Sequence, residues 1–299
     1  MSPENYSDWY QFELKLDHIE AIKVEEVFYK YHAASITYTN AGEEPIYEPL
    51  PGETPYWEDS FITGLFALDT DFNALKKDLL SKLNIDVLPP NYIKKLIGRV
   101  WEREWMKDFK PMCFGANLWI YPENFKSLDK GKVIVYLDPG LAFGTGTHPT
   151  TKLCLEWLDS LDLKNKNILD YGCGSGILGI AALKLGAKKV TAVDIDPQAI
   201  EATKQNALKN NVEKNIIVQN NINSSKDKYD IIIANILAEP LVTLAPFLTN
   251  KLSKNGIIGL SGILKKQMLY VKESYENFLK VNAPKYHKEW SFLNGSNKK

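Results

Sequence analysis

From Trp9 to Leu16 apolar and polar residues alternate, the period of a half-buried strand. Residues 17–33 change to helical spacing, with Ile19, Ile22, Val27 and Tyr31 recurring on one side. Ser35–Thr39 reads as a second strand and runs into an acidic, turn-rich stretch holding Gly42, Pro45, Pro49, Pro51, Gly52 and Pro55. A third strand, Ser60–Leu68, precedes a helix over Phe72–Leu83 whose Leu75, Leu79 and Leu83 share a face. Strands alternating with two helices in this way describe a small α/β sandwich of the split βαβ type. Pro89-Pro90 then punctuates the chain. Residues 91–109 predict a linker helix, with Trp101, Trp105 and Phe109 spaced to pack against a domain.

Beyond it, Phe114–Tyr121 and Lys132–Leu137 read as strands, and a longer α/β series begins near Thr150. Its strands are Asn167–Tyr171, Lys189–Asp194, Asn215–Gln219, Tyr229–Ala234 and Gly256–Ser261, separated by helical segments. Such alternation predicts a mainly parallel, doubly wound sheet covered on both faces. The expected organisation is a first domain over residues 1–85, a linker over 86–112, a larger domain over 113–293 and a frayed tail over 294–299.

Composition agrees with two domains: 299 residues, 44% of them hydrophobic and 24% charged, can bury a real core and exclude disorder as the main state. The net charge of −1 argues against a protein built to coat nucleic acid. That total conceals an asymmetry. Residues 1–60 hold three lysines against thirteen acids, a net of −10, which leaves +9 for the rest. An acidic module of this kind is a poor holder of RNA and a good dock for something basic. Cys113, Cys154 and Cys173 are sparse and unpaired in spacing, which fits a reducing compartment. The histidines His18, His32, His148 and His287 show no metal-ligand spacing, so no metal is expected. The start MSPENYSDWYQ lacks a basic and then apolar leader, and the most apolar window, Ile231 to Leu248, is interrupted by Asn235, Glu239, Pro240 and Pro246. A cytoplasmic protein with no membrane partner is expected, and a monomer, because no strongly apolar face is left unassigned.

The strongest chemical signal is Ile168-Leu-Asp170-Tyr-Gly172-Cys-Gly174-Ser-Gly176-Ile-Leu-Gly179. An apolar strand runs into alternating glycines and then a helix, so a ligand can approach bare backbone. Asp194 ends the next strand about 20 residues on, where a carboxylate accepts hydrogen bonds from ribose hydroxyls. An adenosine-containing ligand follows. The stretch is formally a dinucleotide fingerprint, but it also resembles the first motif of S-adenosylmethionine-dependent methyltransferases. A pyrophosphate disfavours a nearby carboxylate, whereas the ammonium and sulfonium of S-adenosylmethionine welcome Asp170, directly or through water. Asp170 therefore favours the methyl donor.

Asp230-Ile-Ile-Ile-Ala-Asn235-Ile-Leu-Ala238 places Asn235 at a strand's carboxyl end, where open α/β sheets bind ligands. It resembles the catalytic motif of amino-group methyltransferases, without that motif's two prolines and aromatic. The run Leu137-Asp-Pro-Gly-Leu-Ala-Phe143-Gly-Thr-Gly-Thr147-His-Pro-Thr150-Thr151 precedes the first sheet strand. Together these segments closely resemble the bacterial methyltransferases that modify ribosomal large-subunit protein eleven, strongly over residues 137–262 and more loosely over Trp101–Phe114.

The resemblance implies a ferredoxin-like N-terminal domain that grips the protein substrate, a linker, and a Rossmann-like catalytic domain. It implies donor contacts at Phe143, Thr151, Gly172, Asp194 and Asn235, to which the loop adds Asp170 and Gly174. The expected roles are stacking or enclosure by Phe143, backbone approach at Gly172 and Gly174, and ribose binding by Asp194. The expected reaction transfers methyl groups from S-adenosylmethionine, leaving S-adenosylhomocysteine, to lysine side chains and an N-terminal α-amine of that ribosomal protein. Either the free protein or the assembled ribosome is a partner, with no direct need for nucleic acid. Asn235 is the expected catalytic residue, orienting a neutral amine without adding charge. His148 is the only histidine in the motif region, and solvent is the expected proton acceptor. A nucleic-acid amino methyltransferase, a dinucleotide oxidoreductase and a non-catalytic binding module are the alternatives. The acidic first module and the missing prolines count against the first of these, Asp170 against the second, and the intact motif set against the third.

Overall fold

The computed structural model describes residues 8–16, 18–40, 60–97, 110–122, 125, 131–137, 146–222 and 227–298. It divides the chain into two compact units, Met1–Trp101 and Glu102–Lys299.

In the first unit the elements run β1 (Trp9–Lys15), α1 (Ala21–Lys30), β2 (Ser35–Asn40), β3 (Ser60–Phe66), α2 (Phe72–Leu83) and β4 (Asn91–Leu96). The sheet order β2-β3-β1-β4, with antiparallel pairing throughout, is the ferredoxin-like arrangement. Alternation along β1 and β3 turns Phe12, Leu14, Ile62 and Phe66 to one side, where Val24 and Phe28 of α1 and Leu75 and Leu79 of α2 complete a core. Asp71 caps α2 by accepting from the backbone of Asn73 and Ala74. Asp78 joins the helices by pairing with Lys30 at 2.7 Å and accepting from the Tyr31 hydroxyl at 2.8 Å.

One expectation fails here. The helix predicted over 91–109 is instead a strand over Asn91–Leu96, so the sheet continues past residue 85; the rest of that helix lies outside the described residues. The exposed edge of β1 supplies the cause: Gln11 faces Lys94 and Trp9 faces Leu96 across the ladder, and tertiary pairing overrides local propensity. Pro89-Pro90 punctuates the chain inside the first unit, just before β4, where the Pro90 carbonyl accepts from Lys15 N at 2.9 Å.

The second unit opens with β5 (Met112–Phe114) and β6 (Leu118–Tyr121), a hairpin where one strand is predicted, with β7 (Val133–Tyr136) parallel to β6. The remaining elements are α3 (Pro149–Asp159), β8 (Asn167–Tyr171), α4 (Ile177–Lys184), β9 (Lys189–Val193), α5 (Pro197–Lys209), β10 (Ile216–Gln219), β11 (Tyr229–Asn235), α6 (Ala238–Lys251), β12 (Leu252–Leu264), α7 (Met268–Glu276), β13 (Leu279–Val281), β14 (Lys285–His287) and β15 (Trp290–Asn297). The main sheet has the order β10-β9-β8-β11-β12-β15-β13, with β14 beside β15. Pairing is parallel from β10 to β12 and antiparallel around β15. One core lies under α3, α4 and α5, the other under α6 and α7. Chain order reverses between β8 and β11, and there the carboxyl ends of the strands open a crevice suited to a ligand.

The tail expected to fray from Asn294 is sheet to Asn297. Asn294, Gly295 and Ser296 face Gly259, Ile258 and Ile257 of β12, and the Asn297 amide donates to the Ser253 carbonyl at 2.6 Å. The polar residues Asn294–Asn297 carry no apolar pattern, but backbone pairing on both sides holds them.

Candidate functional site

Tyr171 ends β8, and the chain turns through Gly172–Gly176 into α4. Gly172, Gly174 and Gly176 have φ of 76°, 54° and 79°, a left-handed backbone that L side chains avoid. Space is equally restrictive, since a Cβ on Gly172 would sit 2.2 Å from Ile236 and one on Gly176 would sit 2.8 Å from Thr203. The amides of Gly172 and Cys173 both donate to the Val193 carbonyl, tying the turn to the end of β9. From α5, the Thr203 hydroxyl donates to Gly174 O at 2.9 Å and the Asn206 amide to Ser175 O at 2.8 Å. The sequence reading passes over both residues. Their signal is two polar positions, both buried, on a helix face otherwise formed by Ala199 and Ala207.

Asp194 is half-buried just past β9. One carboxylate oxygen accepts from Gly174 N at 2.9 Å and the other from Asp196 N at 3.1 Å, which fixes the group while leaving lone pairs for a diol. Its neighbour Ile195, also passed over in the sequence, is 89% exposed. An apolar side chain so placed offers a surface for a flat base beside the ribose position.

Across the crevice Asn235 ends β11, opposite Ser261 of β12. Its amide nitrogen donates to the Thr151 hydroxyl at 3.4 Å, and Thr151 is fully buried in the first turn of α3. The Asn235 amide oxygen is buried and has no hydrogen-bond partner among the described residues. A buried orphan acceptor needs a reason, and a ligand supplies one. Next along the chain, Ile236 packs on Gly172, so the Asn235 corner and the glycine loop meet. Glycine backbone, a carboxylate at the end of the next strand and an orphan amide oxygen suit an adenosine ligand with a cationic tail better than they suit a pyrophosphate.

His148 is the N-cap of α3. Its Nδ1 accepts from Thr150 N at 3.4 Å and lies 2.7 Å from the Thr150 hydroxyl, and its ring meets Trp290 edge-on with centroids 4.7 Å apart. Burial holds the imidazole below the usual histidine pKa, which suits a cap that must accept. Phe143 lies outside the described residues. Nearby in sequence, Asn210, the C-cap of α5, bonds both backbone groups of Tyr136.

Asp170 lies deeper than the other residues of the loop. It is fully buried beneath the glycine loop, accepting from Gly179 N at 2.8 Å, while its second oxygen has no partner among the described residues. Burial pushes its carboxyl up to about 7, the Gly179 amide opposes the rise and the Asp194 charge adds to it. Burial likewise raises the Cys154 and Cys173 thiols, so neither is a ready nucleophile.

Comparison with known proteins agrees with this geometry. The family model for ribosomal protein L11 methyltransferase (PrmA) matches residues 8–298. Ribosomal protein L11 methyltransferases from Shewanella sp. (strain ANA-3) and Glaesserella parasuis serovar 5 (strain SH0165) are 43% and 44% identical, each over 97% of this chain and 99% of their own. The crystal structure of ribosomal protein L11 methylase from Lactobacillus delbrueckii subsp. bulgaricus superposes with a TM-score of 0.59 at 35% identity, covering 64% of this chain and all of that one. Matched from end to end and carrying the loop, the carboxylate and the amide in one crevice, the chain belongs to the ribosomal protein L11 methyltransferase (PrmA) family.

Proposed function

We propose that this chain transfers methyl groups from S-adenosylmethionine to amino groups of ribosomal protein L11, lysine side chains and the N-terminal α-amine. The observation that carries the reading is the orphan amide oxygen of Asn235, buried between Thr151 and the glycine loop. When bound, the donor supplies a methyl group already activated by its sulfonium. Asp194 would hold the ribose hydroxyls, Ile195 would support the base, and Gly172 and Gly174 would let the ligand approach backbone. Phe143, outside the described residues, is assigned to the donor by the family resemblance alone.

The remaining task is to present a neutral amine in line. A lysine of ordinary pKa loses its proton at pH 7 at a cost of roughly 4–5 kcal/mol, an α-amine at about 1. Because Thr151 engages the Asn235 nitrogen, the amide is held with its oxygen free to accept an N–H from that amine. Asn235 is the catalytic residue in this reading, aiming the lone pair without adding a charge that would stabilise the ammonium form. The released proton passes to solvent. The N-terminal unit takes the substrate-recognition role, since its acidity complements a basic ribosomal protein, and the reaction belongs to the cytoplasm, where that substrate is made.

Intact-mass spectrometry of unmodified L11 incubated with this protein and S-adenosylmethionine tests the reading. Successive methyl increments are expected, and an Asp194→Ala control should give none. Donor binding without any mass change would redirect the search to another amine-bearing substrate.

A further inference from the structure

We propose that Asp170 distinguishes methyl donor from spent product by charge: protonated in the free protein, it releases its proton when a sulfonium ligand occupies the loop above it and regains one when the sulfur is neutral. This rests on the donor lying at the glycine loop. The argument begins from the surroundings of the carboxyl. It has no solvent exposure, one backbone donor at Gly179 of α4, and an oxygen with no partner among the described residues. From α3 it faces Cys154, from the loop Cys173, and from beyond β9 Asp194. Across the sheet its neighbours are Ala192 of β9 and Ile233 of β11. Every titratable group in that set is neutral or negative. An isolated buried carboxylate takes up a proton unless a positive charge arrives. The rise of its carboxyl toward neutrality agrees.

S-adenosylmethionine and S-adenosylhomocysteine share adenine, ribose, carboxylate and α-amine, and differ by one methyl group and the positive charge on sulfur. A protein that must hold the first and release the second has that charge to read, and Asp170 is the acid built into the floor of the loop. Its second oxygen is free to face the change. In the free protein the proton sits on the carboxyl; on donor binding it passes to buffer.

Isothermal titration calorimetry of the full chain, with either ligand and in buffers of different ionisation enthalpy, reads the proton count. The sulfonium makes the donor's own α-amine more acidic than the product's, and Asp170→Asn, which keeps that contribution, supplies the baseline for it. Near pH 7 the donor should release about half a proton more than the product. Below pH 7 its affinity relative to the product should fall by up to about tenfold for each unit the pH is lowered. Asp170→Asn should remove the half-proton and the pH slope it causes, leaving only the amine's baseline, and in wild type the infrared band of a protonated buried carboxyl should vanish on adding donor but not product. Equal proton counts in wild type, or the same difference in wild type and Asp170→Asn, would overturn the proposal. Should Asp194→Ala bind both ligands as wild type does, the placement of the donor at this loop fails, and the coupling with it. If that variant weakens both ligands while wild-type proton counts are equal, only the coupling fails.

Discussion

Asn235 and Asp170 put two opposite demands on one crevice, a polar oxygen without charge and an acid without a counter-ion. At Asn235 the demand is testable by an isosteric change. Asn235→Asp keeps the size and the acceptor but adds a negative charge that holds the substrate lysine as ammonium. The expected result is a fall in kcat of at least about 100-fold at pH 7, narrowing as pH rises, with donor affinity changed far less. A pH series of single-turnover rates checks this, and wild-type activity at neutral pH would remove Asn235 from its role. At Asp170 the consequence is for stability. Its folded pKa of about 7 lies above the unfolded value of 3.8, so between those limits the folded chain binds the extra proton. Its contribution therefore falls as pH rises from about 4 to about 7, then levels off, by a few kcal/mol in all. Denaturant melts of the ligand-free protein across that range should show this slope relative to Asp170→Asn. The variant's buried amide costs a constant amount and gives no slope of its own.

Elements were legible in the sequence where burial decides them and illegible where pairing does. The doubly buried strands β8, β9 and β11 announce themselves as apolar runs such as Ile231–Ala234, and α2 by its leucine spacing. Strand β4 has four consecutive exposed residues, and β14 is the polar Lys285–His287; neither has a face to hide, and each exists because a neighbouring edge needs partners. The site divides in the same way. The glycines, Asp194 and Asn235 could be read because backbone geometry and strand ends restrict residue type there. The depth of Asp170 and the support from Thr203 and Asn206 depend on packing that no spacing reveals. Strand β15 gives the clearest test, because its polar end pairs with both β12 and β13. Deletion of residues 294–299 should lower Tm by about 10 °C or more, and scanning calorimetry would measure it. A dispensable tail would leave Tm unchanged.

At the scale of the whole molecule the charge is divided more sharply than the fold requires. The first 60 residues carry −10 and the remainder +9. Among the described acids of that stretch, Asp8 pairs with Lys95, Glu20 with Lys23 and Glu26 with Lys82. Exposed pairs of this kind add little to stability, and they leave little net field. In sequence the acidity is densest in residues 41–59, where Glu43, Glu44, Glu48, Glu53, Glu58 and Asp59 have no lysine or arginine among them. Stability does not explain such a run, since like charges repel, whereas capture of a basic protein does. Steering by such a field acts on encounter and fades as the Debye length shortens from about 10 Å at 0.1 M salt to about 3 Å at 1 M. Raising salt across that range should therefore lower kcat/KM for L11 by about tenfold or more, with kcat and donor affinity nearly constant. Replacing the six acids by their amides should reproduce the high-salt value at low salt and flatten the salt dependence, without lowering Tm. Steady-state kinetics at four or five ionic strengths decide it: a salt response unchanged by the six substitutions would move substrate capture away from the acidic stretch.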